Sequence, residues 1–193
     1  MDTNYLIILI LILLIFSKCV NNETFQVIKT GKNGKQYKVQ EYPNEQEAAN
    51  ILSQLDKNIN TFLNGLKIDF PNDERIKRMS KNLKSTIIEE GPHKEGESAY
   101  TINKGELMKI CLRKKIKDKP FHTLNTLMFV VIHELAHVIS ISIGHNEEFM
   151  TNFRFLLREA PKYNIDYEPI DYSENSMEYC GVKVTHNPYY NHV

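Results

Sequence analysis

The chain opens with an unbroken apolar run, Leu6 to Phe16, and nothing after about Lys18 repeats it. A bilayer span takes about 20 apolar residues and a signal-peptide core about 10–14, so the run reads as membrane-directed but short. Asp2 is the one charged side chain before it, without the Lys or Arg that opens a signal peptide, although Ser17 and Cys19 are small residues at a spacing that signal peptidase accepts. The expectation is an N-terminal transmembrane helix over residues 1–20, with a cleaved signal peptide as the alternative. Residues 21–45 are polar and read as a linker carrying a hairpin at Asn33-Gly34. From Glu45 the period changes to three and four. Ala48, Ile51, Leu52, Leu55, Ile59, Phe62, Leu63 and Leu66 form one stripe of an amphipathic helix. A second helix is expected across residues 72–90, capped by Asn72 or Asp73 and stopped by Gly91-Pro92.

Alternation takes over in "SAYTINKGELMKICLR", residues 98–113, where Asn103-Lys104-Gly105 turns a β-hairpin. The basic stretch Arg113 to Pro120 reads as a solvated loop. A strongly apolar helix is expected from Thr123 to Gly144, and a further one capped by Asn146 with Glu147 and Glu148 in its first turn. The Tyr-rich tail is expected to be mostly loop, with one strand over residues 179–185.

The apolar helix carries the chemistry. Its sequence "HELAH" places His133 and His137 four residues apart, hence on one face, with Glu134 about 100° further round. Two neutral imidazoles so placed chelate one ion, and the glutamate reaches a water on that ion without ligating it. Catalytic zinc takes three protein ligands, and His145, directly after Gly144, is the natural third. The division of labour is that of peptide hydrolysis: zinc acidifies water, and Glu134 takes the proton and later delivers it to the leaving amine. An oxyanion donor could come from Tyr163, Tyr167, Tyr172 or Tyr179, and nothing in the sequence selects one. His93, His122, His186 and His192 lack partner spacing and read as surface residues.

Composition adds bounds. With 24 basic and 24 acidic side chains and a pI near 7.1, no global charge recruits nucleic acid. Cys19, Cys111 and Cys180 match neither a disulfide framework nor a CxxC knuckle, and are read as reduced thiols, which favours a cytosolic domain, the alternative being one long-range disulfide that would look identical in sequence. Lysines after the apolar run point the same way by the positive-inside tendency, whereas Asn22-Glu23-Thr24 is a glycosylation acceptor pattern that matters only in a lumen. The expected location is therefore a single-pass membrane protein with a cytosolic catalytic domain, the alternative being lumenal or secreted.

His133, Glu134, His137, Gly144, His145 and Phe149 together resemble the zinc peptidases of the WLM and SprT-like groups. Seven residues separate HELAH from His145, a spacing between those of the two groups. The hairpin upstream is similar to the one these families place before the active-site helix. The tail resembles that of N-terminally anchored zinc-peptidase-like proteins of large DNA viruses. The resemblance implies an α+β zincin-like domain over residues 46–193, a small antiparallel sheet packed on the HExxH helix, and protein or peptide substrates. Two rivals stand beside this reading: an inactive zinc-binding module of the same fold, and an interaction protein whose helix is simply buried.

Overall fold

The computed structural model of the chain describes residues 26–92 and 98–190. Helix α1 (Glu45–Asp69) forms where the three-four stripe predicts it, and buries Ala48, Leu52, Leu55, Ile59, Phe62, Leu63 and Leu66 in the core. The strands β1 (Gln26–Thr30) and β2 (Gln36–Gln40) make the antiparallel hairpin at Asn33-Gly34, and Tyr37 and Val39 join the same core.

The second helix is shorter than expected. α2 (Glu74–Asn82) begins at Asp73, whose side chain accepts from the Arg75 amide, and ends well before Gly91. Residues 87–90 form strand β3 (Ile87–Glu90) instead. Thr86, Ile87 and Ile88 are β-branched and stiff at χ1, which favours a pleated surface over a helical turn. Two consecutive acids are buried there: Glu89 lies 3.2 Å from Lys38 and 3.5 Å from Lys109, and Glu90 accepts from Arg113 at 2.8 Å and from the Gln40 amide at 2.7 Å. Arg113 is therefore not part of a solvated loop; it is buried with its guanidinium 4.4 Å from the Phe121 ring.

β4 (Ala99–Ile102) and β5 (Leu107–Ile110) form the expected hairpin. β3 adds to β5 in parallel, so the sheet is mixed, in the order β3-β5-β4, with β4 at the edge. Behind it runs α3 (Leu124–Ile139), opened by Thr123 and apolar on most sides because α1, α2, α4 (Glu147–Glu159) and β4 all pack against it. The tail holds a hairpin rather than one strand, β6 (Met177–Tyr179) and β7 (Val182–Val184). Its turn residues Cys180 and Gly181 both have positive φ, 49° and 86°, as a tight two-residue turn requires.

Two expectations about cysteine and location are corrected. Cys111, just past β5, and Cys180, in the β6–β7 turn, are joined by a disulfide across 69 residues, so these two are not reduced thiols. The argument for a cytosolic domain loses that support. Among the described residues no helix is long and apolar enough to cross a membrane, so the single-pass placement does not stand. The run Leu6 to Phe16, Cys19 and Asn22 lie outside the described residues, as do His93 and His192.

Candidate metal centre

α3 ends at Ile139, five residues before the expected Gly144, for local reasons. The Ser140 hydroxyl donates back to the Ala136 carbonyl at 2.7 Å, and the Ser140 backbone is extended. Orphan carbonyls at this end are satisfied from α2: Arg78 donates to Ile139 O and Asn82 to Val138 O. Residues 140–146 then loop back, with Gly144 at φ 87° supplying the left-handed step that side chains other than glycine rarely take. Asn146 caps α4 by accepting from the Phe149 amide at 3.1 Å.

This path brings the three predicted histidines together. His145 Nε2 lies 3.0 Å from His133 Nε2 and 3.1 Å from His137 Nε2. One ligand atom from each of the three lies within 4.8 Å of the others, the geometry of a metal-holding group. A tetrahedron with Zn–N bonds of about 2.0–2.1 Å has ligand edges of about 3.3 Å, so the donor set fits zinc. Burial, then the neighbouring imidazoles, pushes the His133 pKa down to about 3. Burial also takes His137 down to about 4, aided by the charges of His145 and Lys104. Both rings are thus held in the neutral, ligating form. Phe149 packs against all three, with ring centroids 4.9, 4.3 and 4.7 Å from His133, His137 and His145.

Glu134 lines the same cleft as His133 and His137, is 3% exposed, and accepts at Oε2 from the Thr101 hydroxyl of β4 at 2.8 Å. Burial raises its pKa to about 7, against the lowering effect of the Thr101 hydrogen bond. A cleft of about 680 Å³ opens over these groups. Its lining includes β4 with the Asn103-Lys104 turn, Phe129 and Val130 of α3, and Tyr179, Val182 and Val184 of the tail hairpin.

A chain with this arrangement can be placed. A model of the WLM domain family matches residues 87–187, just over half of the chain and all of the cleft. The chain belongs to the WLM family. That family is associated with zinc metallopeptidase activity, and the cluster of this WLM protein is one that could bind a metal. Its relatives include an uncharacterised protein of Acanthamoeba polyphaga mimivirus, 33% identical over 93% of this chain and 91% of that one. An uncharacterised protein of Invertebrate iridescent virus 3 is 44% identical over 34% of this chain and 40% of its own length. Among solved structures, Wss1 from Saccharomyces cerevisiae is similar with a TM-score of 0.48 and 21% identity, over 64% of this chain and 85% of that chain.

The four tyrosines divide. Tyr163 donates to Asp69 at 2.7 Å, Tyr172 packs on Phe129, and Tyr167 is buried. Only Tyr179 lines the cleft, and its hydroxyl is engaged at 2.9 Å with the Cys111 carbonyl. His186 is exposed as expected, but His122 is not a surface residue. It is buried against Tyr179 with Nε2 3.5 Å from Cys180 Sγ, and burial drives its pKa down to about 4. Sequence reasoning misses Thr101, whose only signal is its place in an alternating strand, and Glu148, which resembles any first-turn acid.

Proposed function

We propose that this WLM protein is a zinc-dependent endopeptidase in which His133, His137 and His145 hold the metal and Glu134 is the general base and acid. The observation that carries the reading is the convergence of three imidazole nitrogens within 3.0–3.1 Å contacts beside a buried carboxylate at the floor of one cleft. Zinc, when bound, supplies the Lewis acidity that brings a water's pKa towards 7 and polarises a carbonyl. The chain's own residues supply the rest. His133 and His137 are kept neutral by burial, so their nitrogens present lone pairs without competition from protons. Thr101 engages Oε2 of Glu134, which leaves Oε1 to accept the proton of the attacking water and pass it to the leaving amine. Burial raises the pKa of this carboxyl, which favours its holding the proton until it is returned to the leaving amine. The edge strand β4 and the apolar residues Phe129, Val130, Val182 and Val184 line the same cleft of about 680 Å³.

The test is elemental analysis and peptide hydrolysis on the purified chain. We expect about one zinc per chain, loss of zinc in His137→Ala, and hydrolysis in the wild type. Protein purified without chelator that carries no zinc, or full zinc retention in His137→Ala, would overturn the ligand assignment. A zinc-loaded wild type inert on unfolded proteins and peptides would leave the inactive zinc-binding module as the better reading.

A further inference from the structure

We infer that Glu148 is a positioning residue for the metal centre: its carboxylate sets the path of the loop that delivers His145 to the other two histidines. This rests on the reading of His145 as a ligand. His133 and His137 are fixed by the helix that carries them, but His145 hangs on residues 140–146, which contain no regular structure. A loop between two ligands has to be ordered before it can chelate, at a cost in backbone entropy.

Ser140, where the loop leaves α3, is buried with its hydroxyl bonded to the Ala136 carbonyl and to Asn152, but the loop's apolar side chains do not anchor it to the core. Ile141 is 72% exposed and Ile143 90% exposed, so the apolar residues in "SISIGH" bury almost nothing. What holds the backbone is Glu148, from the first turn of α4. Its Oε1 accepts from the Ile141 amide at 2.7 Å; its Oε2 accepts from the Ser142 amide at 2.9 Å and from the Ser142 hydroxyl. Neither amide donates to a backbone carbonyl among the described residues, and a carboxylate with two acceptor oxygens matches this three-donor set. Two further ties act on Ser142 from either side: Lys104 Nζ donates to its carbonyl, and Asn146 Nδ2 donates to its hydroxyl at 2.7 Å. The residue after Glu148 is Phe149, whose ring packs on all three imidazoles. One helical turn therefore fixes the loop's start through Glu148 and the ligand rings through Phe149. Outer groups of this kind are worth about tenfold to a hundredfold in metal affinity.

The experiment compares wild type, His145→Ala, Glu148→Ala and Glu148→Gln for zinc affinity by chelator competition and for the visible absorption of the cobalt(II)-loaded protein. We expect Glu148→Ala to bind zinc about tenfold to a hundredfold more weakly, with a cobalt spectrum shifted towards that of His145→Ala. Glu148→Gln keeps one acceptor oxygen and should fall between, which also serves if the alanine variant does not fold. Equal losses in the two Glu148 variants with a wild-type cobalt spectrum would mean that only the negative charge matters, and positioning fails. Wild-type affinity in both variants overturns it as well. If His145→Ala itself binds zinc normally, the ligand assignment falls rather than this inference alone.

Discussion

The two sides of the cleft are built by opposite means. The histidine side is assembled from one continuous stretch, His133 to Phe149, whose ring contacts and loop hydrogen bonds join near neighbours in sequence, with Arg78, Thr101 and Lys104 reaching in from other elements. The opposite side, with Tyr179, Val182 and Val184, belongs to the short tail hairpin, tied down by a disulfide to the end of β5. Two strands of three residues cannot be stable alone, and the covalent tie adds to the burial of Tyr179 and Cys180 in the core. The residues proposed for the chemistry thus sit where mostly local interactions define the geometry. The tail hairpin is held by long-range ties, the disulfide and the bond from the Tyr179 hydroxyl to the Cys111 carbonyl.

If that division holds, the largest effect should come from the side that carries chemistry. Glu134→Gln removes the proton acceptor while leaving a near-isosteric side chain that Thr101 still contacts. We predict a loss of hydrolysis of about 10³-fold or more with the zinc content unchanged, read from kcat/KM and elemental analysis on the same sample. Loss of zinc along with activity would show that Glu134 ligates, and the two roles assigned to α3 would merge.

The opposite side should respond in stability rather than in metal binding. Paired Cys111→Ser and Cys180→Ser substitutions remove a closure over 69 residues, for which the chain-entropy account gives about 4 kcal/mol. Urea unfolding should show that loss, while zinc affinity of the folded protein stays within about twofold. A tenfold fall in zinc affinity would mean that the two sides are coupled and the comparison is false.

The same contrast decides what is legible in the sequence. His133, Glu134, His137 and His145 are readable because ligand spacing on a helix and one glycine step are local geometry. The stripe of α1 is readable for the same reason. Periodicity misleads where side chains override it. The rhythm of "STIIEE" continues a helix that β3 replaces, the apolar run extends α3 past the Ser140 that ends it, and the basic stretch gives Arg113 to solvent although Glu90 binds it. The Cys111–Cys180 pair is illegible in another sense. Nothing local to either cysteine tells that β5 and the tail hairpin meet, and the same meeting buries His122.

His122 offers a smaller effect on the disulfide side. Its folded pKa, about 4, lies below the ordinary 6.5 because burial penalises the imidazolium. The neutral ring's contribution is therefore fully present above pH 6.5 and is lost as pH falls towards 4, at about 1.4 kcal/mol per pH unit. Between pH 6.5 and 5 this amounts to about 2 kcal/mol. Denaturation of zinc-loaded wild type and His122→Leu across that window should show the variant losing less stability. Parallel pH curves would place the acid sensitivity elsewhere, with His133 and His137 the first groups to test.

The smallest predicted effect lies on the chemical side, at the hydrogen bond from Thr101 to Glu134. Donation from the hydroxyl stabilises the carboxylate and so lowers the Glu134 pKa, while burial raises it; burial is the larger influence and the result is about 7. Thr101→Val keeps the shape and removes the donor. The carboxylate then loses a charge-assisted bond, the pKa rises further, and more of the protein carries a protonated Glu134 at a given pH. The acid limb of the kcat/KM profile should move to higher pH by less than about one unit, since a unit corresponds to about 1.4 kcal/mol and a hydrogen bond of this kind contributes about that or less. Bound zinc draws the Glu134 pKa down in wild type and variant alike, so the direction of the difference survives even where the absolute values fall. At pH well above the limb the two should hydrolyse peptides at nearly equal rates. A uniform loss across all pH, with the limb unmoved, would mean that Thr101 orients Glu134 rather than tuning its proton affinity, and the edge strand would then belong with the parts of the cleft that set geometry.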